Sequence, residues 1–66
     1  MISLQVNGIP RESAAATVTE FVTELDQPPE LLLIEHNGIA LTRSEWLTTM
    51  LGHGDRLEIL RVAAGG

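Results

Sequence analysis

Hydrophobic and polar residues alternate from the first positions of the chain. Ile2, Leu4 and Val6 fall on one side and Ser3 and Gln5 on the other, the period of two that marks a strand with one buried face. Asn7-Gly8 follows, a pair that tolerates positive φ and so forms the commonest two-residue hairpin turn. The returning strand covers 9–13, and Pro10, with no N–H to give to a ladder, puts it at a sheet edge. The period then changes. Thr17 and Glu20 form a capping box at the start of a helix over 17–26. Val18, Phe21, Val22 and Leu25 recur along it as a stripe facing a core. Glu20 and Glu24 share a different face, read as solvated, and Asp26-Gln27-Pro28-Pro29 ends the helix.

Leu31-Leu32-Leu33-Ile34 is an unbroken apolar run between turn residues, too short for a helix and suited to a strand over 31–36 buried on most sides. Asn37-Gly38 turns the chain into the short strand Ile39-Ala40-Leu41. Thr42 and Glu45 make a second capping box. It opens a short helix with Trp46, Leu47, Met50 and Leu51 on its core side and Gly52 as its stop. After the turn His53-Gly54-Asp55, a last strand covers 56–62. Leu57 and Ile59 point toward the helix, whereas Glu58, Leu60 and Val62 point away from it. Sheets covered on one side carry a polar outer face, so Leu60 and Val62 break the rule.

The order is strand, strand, helix, strand, short strand, short helix, strand. A helix across one face of a mixed sheet of four to five strands is a two-layer α+β fold. With the helix placed between the second and third strands, the first and last strands pair in parallel at the centre, which is the ubiquitin-like β-grasp arrangement. Two parts follow: a β-grasp domain over 1–62 and a flexible tail over 63–66 that ends Gly65-Gly66.

Composition removes several classes of function. With 66 residues there is room for one domain, and 44% hydrophobic content supports a packed one. No cysteine is present, which excludes disulfides, thiolate metal sites and a cysteine nucleophile. Nine acidic residues stand against four arginines, for a net charge of -5. That balance argues against nucleic acid and anionic membranes as partners and for a basic protein surface. The chain shows no signal segment or membrane span, and a cytoplasmic location is the expectation. His36 and His53 share no motif and are read as turn or surface residues, Asp55 as a turn former, and Trp46 as core. No catalytic residue and no metal site is expected.

Val6-Asn7-Gly8, Thr17-Val18, Asn37-Gly38 followed by Arg43-Ser44-Glu45-Trp46, and Gly54-Asp55-Arg56-Leu57-Glu58-Ile59 leading to Gly65-Gly66 together resemble the ThiS family of sulfur carriers in thiamine biosynthesis. The resemblance runs over the whole chain. Two positions depart from it: Thr42 stands where members commonly carry proline, and Ala40 is smaller than the usual aliphatic, which implies looser packing near Trp46.

The resemblance implies a carrier that is not itself an enzyme. Its Gly66 carboxylate would be adenylated by an E1-like partner of the ThiF type that uses ATP. Sulfur from a donor protein would then convert it to a thiocarboxylate for a thiazole synthase of the ThiG type. The carrier would bind no cofactor of its own. Ala63, Ala64 and Gly65 would form the inserted tail, and glycine there lets other backbones approach closely. Fully extended, the tail reaches roughly 13 Å. Leu60 and Val62 would form the apolar centre of the docking surface. Three other readings remain open: a small subunit of molybdopterin synthase, a ubiquitin-like modifier joined through Gly66, or a plain interaction module.

Overall fold

The computed structural model describes residues 1–62. The expected tail, Ala63 to Gly66, lies outside the described residues. Five strands form one mixed sheet: β1 (Ile2–Val6), β2 (Ile9–Ser13), β3 (Leu32–His36), β4 (Ile39–Leu41) and β5 (Arg56–Arg61), in the spatial order β2-β1-β5-β3-β4. β1 and β5 run parallel at the centre, and every other pairing is antiparallel. The helix α1 (Val18–Leu25) covers one face.

Each element has a local cause. The Thr17 hydroxyl accepts the Glu20 N–H at 3.2 Å, satisfying one of the orphan donors at the helix start. The Glu20 carboxylate reaches back to the Ala16 N–H at 2.8 Å rather than to Thr17 itself. Asp26 ends α1 in the left-handed conformation with φ 55°, ahead of the two prolines. Both Asn-Gly pairs have positive φ at each residue: 52° and 81° at 7–8, 51° and 86° at 37–38. That is the twist a two-residue hairpin needs.

The core comprises Leu4, Val18, Phe21, Val22, Leu32, Ile34, Trp46 and Leu57 with Ala15, and Leu25 and Ile59 pack against it half-buried. Alternation along β1, β3 and β5 supplies the sheet side, and the i, i+3, i+4 stripe of α1 supplies the other.

Several sequence expectations change. Leu31 belongs to a 3-10 turn, Pro29–Leu31, and β3 begins at Leu32. β3 is not buried on most sides, because Leu33 is 56% exposed between buried Leu32 and Ile34. The second helix is a single 3-10 segment, Arg43–Leu47, and stops well before Gly52. The Glu45 carboxylate accepts the Thr42 N–H at 2.7 Å, so the returning half of the capping box forms. A 3-10 segment this short buries one side chain, Trp46, while Leu47 and Met50 remain 68% and 64% exposed.

Glu24 is no free solvated acid. It accepts the hydroxyl of buried Ser13 at 2.8 Å and the Ala14 N–H at 3.2 Å, closing the polar groups at the end of β2 onto the helix. Ala40 stands opposite Glu35 on the outer face of the sheet, so its small side chain leaves space there and not beside Trp46. β5 ends at Arg61, one residue earlier than expected, although the Val62 N–H still bonds the Leu31 carbonyl at 2.7 Å.

Candidate functional site

The surface that leads to residue 62 is built by β5 and its neighbours. β1 pairs with β5 only at Gln5–Arg56 and Val6–Leu57 before the chain turns away. Beyond that point the Asn7 side chain takes over as a stand-in for backbone. Its Oδ1 accepts the Ile59 N–H at 2.7 Å, and its Nδ2 donates to the Ile59 carbonyl at 3.1 Å. Asn37 does the same at the other end of the strand, with Oδ1 accepting the Arg56 N–H at 2.9 Å. The two asparagines therefore turn the chain and also fix β5, a role their pairing with glycine does not disclose.

The far end of β5 is held from the other side. Val62 bonds Leu31 as above, and the Arg61 guanidinium donates to Gln27 Oε1 at 2.9 Å. The last described residues thus sit beside the 26–31 loop.

On the outer face, β3 and β5 align in register, with Leu33 opposite Leu60 and Glu35 opposite Glu58. Leu60 is 62% exposed and Val62 is also exposed, at the positions that the alternation turns away from the helix. Leu33 shares this exposed apolar face, a placement that sequence reasoning missed. Every position of Leu31-Leu32-Leu33-Ile34 is apolar, so no alternation marks which one faces outward; only the cross-strand register does. Beside this pair, Ala40 leaves a concavity of about 540 Å³, floored by Leu33, Ala40 and Leu60.

The remaining candidates do not gather at that face. Ser3 N–H donates to His53 Nδ1 at 3.1 Å. His36 Nε2 and Asp55 Oδ2 meet at 2.7 Å, and Asp55 also accepts the Gly52 N–H at 2.9 Å. Partial burial works against the charged Asp55 carboxylate, but the hydrogen bonds from His36 and the Gly52 N–H outweigh it and hold the carboxyl below its ordinary value. A lowered folded value means that Asp55 contributes its stability above about pH 4 and loses it as the pH falls through the lowered value. Urea melts at pH 7 and pH 3 should therefore show a smaller acid loss for Asp55→Asn than for the natural chain. Parallel losses would mean that the clasp adds nothing. Asp55 is accordingly a structural acceptor as well as a turn former. Among the described residues, no helix is long and apolar enough to cross a membrane.

Comparison with known proteins agrees with this geometry over nearly the full chain. The model of the ThiS family matches residues 4–66. A crystal structure of a thiamine biosynthesis protein (ThiS) from Geobacter metallireducens shares 33% identity, with a TM-score of 0.82 over 98% of this chain and 100% of that one. An NMR solution structure of a thiamine biosynthesis protein from the same organism gives 33% identity and a TM-score of 0.80 over 98% of this chain and 88% of that one. No curated protein matches the sequence.

Proposed function

Since the chain belongs to the ThiS family, we propose that it is a cytoplasmic sulfur carrier of thiamine biosynthesis whose cargo rides on the Gly66 carboxylate. The observation that supports this most is the likeness to a thiamine biosynthesis protein along the entire fold, at 33% identity and a TM-score of 0.82. It is joined by an apolar outer face made by Leu33 on β3 and Leu60 on β5, the strand that precedes Gly65-Gly66 in the chain.

A carboxylate is a poor electrophile, because either oxygen would have to leave as oxide or hydroxide. In the proposed reaction one carboxylate oxygen of Gly66 attacks the α-phosphorus of ATP on an E1-like enzyme, and pyrophosphate leaves. The resulting acyl adenylate carries AMP as a good leaving group. The outer sulfur of a persulfide on a donor protein then attacks the carbonyl carbon and AMP departs. A thiol cleaves the resulting acyl disulfide, forming a disulfide with the donor and leaving the thiocarboxylate, which passes its sulfur to a thiazole synthase. The partners supply ATP and the reactive groups. The carrier supplies an unbranched end and a face to hold, so beyond the Gly66 carboxylate it needs no base, side-chain nucleophile or cofactor of its own.

Glycine at 65 and 66 suits this task, since a chain without side chains passes where β-carbons would collide. The docking face suits it too: apolar residues at the centre of a small patch give most of the affinity in protein recognition. Intact-mass measurement of the protein from sulfur-replete cells tests the proposal. The expected spectrum contains a species in which one sulfur has replaced one oxygen, localised to the C-terminal peptide. A spectrum showing only the unmodified carboxylate, or Gly66 joined to a lysine of another protein, would refute it.

A further inference from the structure

Next to the Leu33–Leu60 pair, Glu35 and Glu58 stand directly opposite each other on the outer face. Like charges at opposed antiparallel positions repel. Among the described residues the pair has no relief: neither carboxylate accepts a hydrogen bond or lies within ion-pair distance of a basic group. Arg56 shares a shallow concavity with Glu35 and Glu58 but forms no ion pair with either. Both acids also border the larger groove whose floor is Leu33, Ala40 and Leu60. An apolar floor thus leads up to two uncompensated carboxylates.

We propose that this groove receives an arginine side chain from the surface of the adenylating partner, an inference that rests on the carrier reading above. The aliphatic stem of arginine covers apolar surface while its head stays polar. Its planar guanidinium offers donors along two edges, so one head can meet two carboxylates at once. The occupant is not a second copy of this chain. Its net charge of -5 opposes self-association, and a self-complementary contact at this face would bring four carboxylates together. The acid pair, mildly unfavourable in the free carrier, becomes favourable only when a cation arrives, and so discriminates among partners.

The test uses the full chain and the purified adenylating enzyme of the same organism, with pyrophosphate exchange measured against carrier concentration at low and high salt. The double variant Glu35→Gln/Glu58→Gln should keep its circular dichroism spectrum. Its KM should rise about tenfold or more at low salt. The rise of KM with added salt seen in the natural chain should flatten in the variant, while kcat at saturation stays within about twofold. Leu60→Asp, at an exposed position, should also keep its circular dichroism spectrum and should raise KM at both salt concentrations.

If the natural chain exchanges well and the double variant matches its KM and salt dependence, the arginine inference falls and the carrier reading stands. If the natural chain supports no exchange at all, the carrier reading falls and the inference falls with it. A dimer in sedimentation of the natural chain that Leu60→Asp abolishes would assign the groove to a second copy and overturn the inference.

Discussion

Deleting Gly66 should reduce ATP–pyrophosphate exchange by the adenylating partner to background while leaving affinity for that partner nearly unchanged. The two effects separate because the proposed chemistry and the proposed recognition occupy different parts of the chain. Without Gly66 the terminal carboxylate belongs to Gly65 and ends roughly 3.5 Å short. A misplacement of about 1 Å already costs on the order of 100-fold in a positioned reaction, and no rotation of the remaining tail restores the lost length. Leu33 and Leu60, on the outer face of β3 and β5, are untouched by the deletion. Exchange kinetics and calorimetric titration on the same two proteins decide the matter. Robust exchange by the truncated chain would show that another group is activated, and the carrier reading would have to be given up. Equal loss of exchange and affinity would instead place the main docking contacts in the tail.

Phe21→Ala should remove between about a third and all of the folding stability. Phe21 is fully buried on α1, with Leu4 and Leu57 in the same core. Truncating a buried phenylalanine costs about 3–5 kcal/mol, and a domain of this size has roughly 3–10 kcal/mol to lose. The urea midpoint should fall by at least about a third, and at the lower end of that range no folded baseline remains. Leu33→Ala is the contrast within one apolar run. Leu33 lies on solvent-facing surface, and such changes stay within about 0.5 kcal/mol, so its melt should overlay that of the natural chain. If both variants melted alike, the assignment of inner and outer faces would be wrong.

The contrast between Phe21 and Leu33 shows where sequence patterns suffice and where they stop. Val18, Phe21 and Val22 were legible as core because the helical period separates them from polar neighbours, and the structure buries all three. Leu57 and Leu60 were legible as facing opposite ways because Glu58 breaks the apolar run of β5. Leu33 was not legible, since a run of four apolar residues has no internal contrast. Leu47 and Met50 misled for a related reason. They were read as part of one helix running to Gly52, but the segment closes as a 3-10 helix that ends at Leu47, Met50 falls in an isolated bridge with Thr17, and both side chains stay in solvent.

Polar residues divide in the same way. Asn7 and Asn37 announce turns by standing before glycine, yet their carboxamides also bond β5, across sequence separations of 52 and 19 residues. Glu24 looks like one more surface acid until the end of β2 arrives at its carboxylate. The sequence could not pair Glu35 with Glu58, because opposition across strands depends on register.

What the amino-acid sequence determined by itself is therefore everything carried by local period and local backbone chemistry: the strands, the helix and its cap, both hairpin turns, and the order that makes the sheet mixed with parallel β1 and β5 at its centre. The elements follow from short-range properties, namely side-chain alternation, capping and the φ preferences of neighbouring residues, and the sheet order follows from the place of the helix between the second and third strands. Only the tertiary structure decided which face each residue of an all-apolar run takes, which distant carbonyl an asparagine reaches, and which two carboxylates meet, because those depend on how strands 20 to 50 residues apart slide into register.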